Sequence, residues 1–246
     1  MILVSSETSK IYNMLPDVFD ADRMLHEPGR KKSVDQLLDI VRKHKVESFV
    51  GLRLLHKHNL IAEHELMVEG TLSDEIGFAL ITRARSISEI GEAIVPNSWI
   101  LTDTGYVPME FSATHLLNDP TFNPISHNKF FDELASKLRE LGLSNILGPA
   151  LASSSFVESH RPSDSSMMIE LSAFDDRANV LRFVTDQVSE GDFIETYWLA
   201  GPESDDINHP RDPKPDTAQP LRTCKRICPS VQNPPVHQGT YQHSSS

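Results

Sequence analysis

The chain has 246 residues, 39% of them hydrophobic and 24% charged, which supplies a buried core and is too apolar for wholesale disorder. Its formal charge of -12 excludes a surface that tracks nucleic-acid phosphates, because that work needs clustered Lys and Arg. No apolar run approaches the roughly 20 residues that cross a bilayer, and the opening MILVSSETSK lacks the basic n-region of a secretory signal. The expected place is therefore the cytoplasm, with no membrane partner.

Residues 1–32 contain LHEPGRKKS, where Pro28 and Gly29 interrupt any regular element, and they read as an N-terminal arm. Ser33 and Gln36 have capping-box spacing, and Val34, Leu37, Leu38 and Val41 share one helical face, which predicts a helix over 34–44. The period then changes to two. Val50, Leu52 and Leu54 form one strand, and Leu66 and Val68 belong to a second. IGFALIT (76–82) reads as a buried strand. SWILTDTGYVPMEF (98–111) reads as a hairpin turning at Thr102 to Gly105. In HNKFFDELASKLRELG a stripe of Phe131, Leu134, Leu138 and Leu141 predicts a second helix that Gly142 ends.

Further strands are expected at 145–152, 166–174, 179–185 and 192–201. About nine strands and two main helices, without a regular βα rhythm, predict an α+β class: a mostly antiparallel sheet with both helices packed on it, in a single domain over 33–200. From Gly201 the text carries five prolines in twenty residues, so 201–246 reads as a Pro-rich flexible C-terminal tail. Acidic charge is uneven. Residues 61–120 hold ten acidic residues against Arg83 and Arg85 alone, an anionic flank.

Three constellations carry possible chemistry. In LRLLHKHNLIAEHELMVEG (52–70), His56 and His58 at the end of a strand share one face, which lets both rings reach one ion. Read from Gly51 to Gly70, with Glu63 after the histidines, the spacing resembles the first metal motif of the cupin family. That resemblance implies a divalent ion inside a β-barrel. Its first spacer is one residue shorter than the family's, and the second cupin motif, a His after Pro-x-Gly, is absent. His64 then serves as a substitute fourth ligand or general base. The plain alternative is that these residues are only the polar rim of a strand and turn.

Asp103-Thr104-Gly105 is the tripeptide of aspartic proteases, although a hairpin turn uses the same residues for their backbone conformations alone. In the tail, Cys224, Cys228, His237 and His243 are the right donors for a tetrahedral zinc. Pro234 and Pro235 leave no room for a finger helix between them, and a flexible tail accounts for the same residues. Phosphate-loop, dinucleotide-turn and serine-elbow motifs are absent.

VGLRLLHKHNLIAEHELMVE, the EF after the hairpin, LRELGL before an apolar strand, and the Cys-x3-Cys tail together resemble an uncharacterised family of intracellular proteins from filamentous fungi. The resemblance implies a location inside the cell and no activity. Two function classes follow. One is a binding or accessory domain for a protein or small molecule. The other is a metal-dependent enzyme with His56, His58 and Glu63 as ligands of a divalent transition metal or zinc.

Overall fold

The computed structural model describes residues 6–28, 30, 32–163, 167–173, 176–184, 194–200 and 218–224, with the backbone path alone over the last stretch. Its strands are β1 (Val50–Leu54), β2 (Glu65–Asp74), β3 (Gly77–Ser86), β4 (Ile94–Thr102), β5 (Gly105–Ala113), β6 (Leu147–Leu151), β7 (Met167–Ala173), β8 (Ala178–Val184), β9 (Ile194–Ala200) and β10 (Ala218–Cys224). Nine of them form one curled sheet in the order β9, β1, β6, β4, β5, β2, β3, β8, β7. β10 pairs with both β7 and β9 and closes the sheet into a barrel. The β2/β5 and β7/β10 pairs are parallel and the rest are antiparallel, so the mostly antiparallel sheet stands.

The helices are α1 (Ser6–Met14), α2 (Val18–Leu25), α3 (Ser33–Lys43), α4 (Asn128–Glu140) and the single turn α5 (Ser155–Glu158). α3 and α4 are the two that periodicity predicts. Their Leu37, Leu38, Val41, Leu134 and Leu138 meet Leu52 and Leu54 of β1, with Trp99 and Trp198, in one buried cluster outside the barrel. Each such leucine contributes roughly 2 kcal/mol by leaving water. Ser33 is buried as the first residue of α3 rather than capping it from outside, and Lys32 at the cap position offers no side-chain bond. Gly142 takes φ +65 just past α4, as its position after the Leu stripe requires.

Two boundaries differ from expectation. The residues read as an arm hold α1 and α2, whose Tyr12, Leu15, Val18, Ala21 and Leu25 are buried. The fold therefore begins before Pro28. The sheet also draws a strand from beyond residue 200, because β7 and β9 leave a gap that only a further segment can pair. The remainder of the expected tail lies outside the described residues. Among the described residues no helix is long and apolar enough to cross a membrane.

Register sorts the barrel wall into two faces. On β2 and β3, Met67 pairs with Ala84 and Glu69 with Thr82 on the inner side, whereas Leu66, Val68 and Gly70 face Arg85, Arg83 and Ile81 on the outer side. The inward residues of β3 then read Ala84, Thr82, Leu80. Ala84 packs with Tyr12, Leu15, Leu55, Ile61, Met67 and Met109. Leu80 packs with Leu116, Val157, Met168 and Leu181. Between these apolar clusters lies a polar layer.

Candidate metal centre

Every member of that layer comes from a different part of the sheet. Arg53 projects inward from β1 two residues after Gly51, where an added Cβ would stand 2.3 Å from the Trp198 carbonyl of β9. The missing side chain lets β9 lie close to β1. Arg53 donates Nη1 to Glu110 of β5, and its Nη2 is 3.4 Å from Oε1 of Glu170 on β7. Glu170 also accepts from Asn179 Nδ2 on β8, and Thr196 Oγ1 of β9 is 3.3 Å from its Oε2. Glu69 accepts from Ser112 Oγ at 3.0 Å.

The chain leaves β1 at Leu54, runs without regular structure through His56 and Lys57 and bends at His58. His56 Nδ1 donates to the Leu54 carbonyl at 2.8 Å, which leaves a lone pair on Nε2. His58 Nδ1 is 3.2 Å from Ser172 Oγ. The two rings lie 4.6 Å apart, centre to centre, and both Nε2 atoms converge on Glu170: 3.1 Å from His58 to Oε1 and 3.9 Å from His56 to Oε2. The three side chains are at most 2% exposed. At 3.1 Å the His58–Glu170 contact is an ion pair whenever that ring is protonated, and neither Nε2 makes a hydrogen bond among the described residues.

Donor atoms of His56, His58 and Glu170 all fall within 4.8 Å of one another. Metal–ligand bonds of about 2.0–2.2 Å place tetrahedral ligands about 3.3–3.6 Å apart; the 3.1 Å from His58 and 3.9 Å from His56 to Glu170 lie on either side of that range. Comparison with known protein families, curated proteins and solved structures gives no match. The site must therefore be read from its own chemistry.

Of the residues expected there, the fold unites His56 and His58 and substitutes Glu170 for Glu63. Glu63 and His64 are exposed in the loop before β2, and the Glu63 carbonyl accepts from Ser9 Oγ of α1. The carboxylate comes from β7, three strands from β1 through β9 and β10, and reaches the histidines through the barrel interior. Asp103 and Thr104 are exposed in the β4/β5 turn, with Gly105 at φ +121, which is the backbone role of that tripeptide. Cys224 ends β10, while Cys228, His237 and His243 lie outside the described residues.

Burial sets the electrostatics. Loss of water, then the neighbouring His58, pushes His56 down to about 3, so its ring is neutral. Burial alone would raise the Glu170 carboxyl, but the adjoining His58 and the charge of Arg53 outweigh it and hold the group well below the usual carboxylate range. Burial and the charge of Glu110 raise the Tyr12 phenol, keeping it protonated where its oxygen accepts the His58 backbone N–H at 3.3 Å.

These directions give a pH dependence. In metal-free protein, unfolding frees His56 to take up a proton that the folded state refuses between about pH 6.5 and 3. Stability is complete above 6.5 and falls as pH drops through that window, by a few kcal/mol at its acid end. Glu170 adds a loss of the same sign below its ordinary value of 4.5. Urea unfolding across the range is expected to show the slope, and His56→Gln to flatten its upper part.

α1 is fastened to the histidine loop. Asn13 donates Nδ2 to the Ile61 carbonyl at 2.8 Å and accepts the Ile61 N–H at 2.9 Å. Lys57 bonds the Pro16 carbonyl through its backbone N–H at 2.9 Å and the Asn13 carbonyl through Nζ at 3.0 Å. Asn13→Ala leaves both Ile61 groups unpaired and is expected to cost about 1–3 kcal/mol in urea unfolding.

Proposed function

We propose that the protein binds one divalent transition-metal ion inside the barrel, with His56 Nε2, His58 Nε2 and a Glu170 oxygen as its ligands. The observation that carries this reading is the convergence of two buried, unpartnered imidazole nitrogens on one buried carboxylate. Lone pairs directed at each other in a dry interior repel unless a proton or a cation lies between them. His56 resists the proton, which favours the cation.

Charge balance agrees. With both rings neutral, as metal ligation requires, the layer holds Glu69, Glu110 and Glu170 against Arg53, a formal excess of two negative charges that a dication cancels. Nitrogen and oxygen donors suit zinc, iron, manganese, nickel or cobalt. Three protein ligands leave a coordination position for water or a small oxygen ligand, where the ion would supply Lewis-acid or oxygen-activating chemistry. The metal-dependent enzyme of the sequence reading thus keeps a place with Glu170 in the role of Glu63, and the binding domain becomes a metal-binding one.

The test is elemental analysis of the full chain purified without a polyhistidine tag, after loading with each metal and removing the excess. About one ion per chain is expected in wild type and in Cys224→Ser, and none in His56→Ala or Glu170→Gln with the fold retained by circular dichroism. Wild type that retains no metal, or metal retained by the His56 and Glu170 variants, would leave the layer as a structural ion-pair network.

A further inference from the structure

The outer face of the same wall carries a second, unrelated feature. The two basic residues of the acidic 61–120 stretch, Arg83 and Arg85, alternate with inward Thr82 and Ala84 and therefore project from one side of β3. Both line a depression of about 190 Å³ together with Gly70, Ile81, His115 and the carboxylate of Glu92. Its position is no accident of a bare sheet. The chain from the 3-10 turn Ile87–Glu89 to β4 lies over the outer face, where Ile90 and Ile94 pack against Leu66, Val68 and Phe111.

That strap fixes one of the two guanidinium groups. Arg85 donates Nη1 to Glu92 at 2.8 Å and Nη2 to the Glu89 carbonyl at 3.1 Å. Glu92 is thereby engaged and its charge offset. Arg83 is exposed and has no ion-pair or hydrogen-bond partner among the described residues. Gly70 contributes open floor: a Cβ built there meets nothing within 4 Å, and its backbone needs no positive φ.

We propose that this depression is a binding site for a small organic anion, with Arg83 as the primary contact for a phosphate or carboxylate head and Arg85 and His115 beside it. A planar guanidinium donates two parallel hydrogen bonds to either head group, and an unpaired one on a protein of charge -12 is a rare attractive point for an anion. Ile81, half-buried in the lining, offers apolar contact for a short carbon substituent. The site faces away from His56, His58 and Glu170, so it does not depend on the metal reading.

The experiment titrates the full chain with inorganic phosphate, phenyl phosphate and benzoate, following amide shifts by NMR at low salt. A saturable shift centred on Gly70, Arg83 and His115 is expected for at least one probe, strongest for phenyl phosphate if the head is a phosphate and for benzoate if it is a carboxylate. Arg83→Ala is expected to weaken it about tenfold or more, Arg83→Lys to restore part of it, and Gly70→Leu to abolish it by filling the floor. His56→Ala is expected to leave it unchanged. No saturation by any probe at about 10 mM, or equal binding by wild type and Arg83→Ala, overturns the proposal.

Discussion

Arg53→Met is expected to destabilise the barrel by about 3–5 kcal/mol, among the largest losses available from a single substitution in this chain. Methionine matches the arginine stem in length and fits the space, so packing changes little. What changes is charge. Arg53 is the cation that contacts both Glu110 and Glu170; without it Glu110, with Glu69 nearby, is buried with no cation in contact, and Glu170 keeps only the His58 ring. Urea unfolding of metal-free protein measures the loss. Arg53→Met combined with Glu110→Gln removes both members of the pair and is expected to recover a large part of it, because the penalty belongs to the uncompensated charge. If the double variant is as unstable as the sum of its parts, the pair is not coupled and the account of the polar layer fails.

That layer also marks how far the sequence was legible. Period-two alternation located β1 and β2, short apolar runs and one turn signal located β3 to β9, and the Leu stripes located α3 and α4, because those signals arise where a segment meets apolar neighbours. α1 was missed because its buried residues, Thr8, Ser9, Tyr12 and Leu15, are half polar and leave only a faint stripe. β10 was missed because AQPLRTC stands in a proline-rich text, where pairing depends on a gap left by β7 and β9. The histidines were readable since they stand two residues apart just past the end of β1. Glu170 was not, as its meeting with them depends on closure of the barrel between residues 112 positions apart, His58 and Glu170. A signal did exist. Arg53, Glu110 and Glu170 are each the one charged residue of an apolar strand and Glu69 follows the apolar run Leu66–Val68, and a charge at an inward position of such a strand needs a partner from another strand. Listing those four together points to one polar layer before any coordinates are seen.

Metal binding is expected to raise thermal stability, and this is the most direct physical consequence of the proposed centre. A ligand held only by the folded state adds RT ln(1 + [L]/Kd), about 2.7 kcal/mol at a hundredfold excess over Kd. For a domain of this size each kcal/mol moves Tm by about 2–4 °C, so the increase is about 5–11 °C on loading, reversed by a chelator. Glu170→Gln keeps the shape of the side chain and its bonds to Thr196 or Arg53 but removes the anionic ligand, and it is expected to lose the increase. His56→Ala loses it as well. Asn13→Ala, which loosens the histidine loop without touching a ligand, is expected to keep the increase but reach it at higher metal concentration. A layer that is only an ion-pair network predicts no dependence on metal in any of the four proteins, because its charges are neutralised by Arg53 and by protons. The two accounts also part on acid: with metal bound, unfolding on acidification follows release of the ion by protonation of the histidines, and its midpoint moves to lower pH as free metal is raised. The pair network has no term in metal concentration, and its acid midpoint stays fixed.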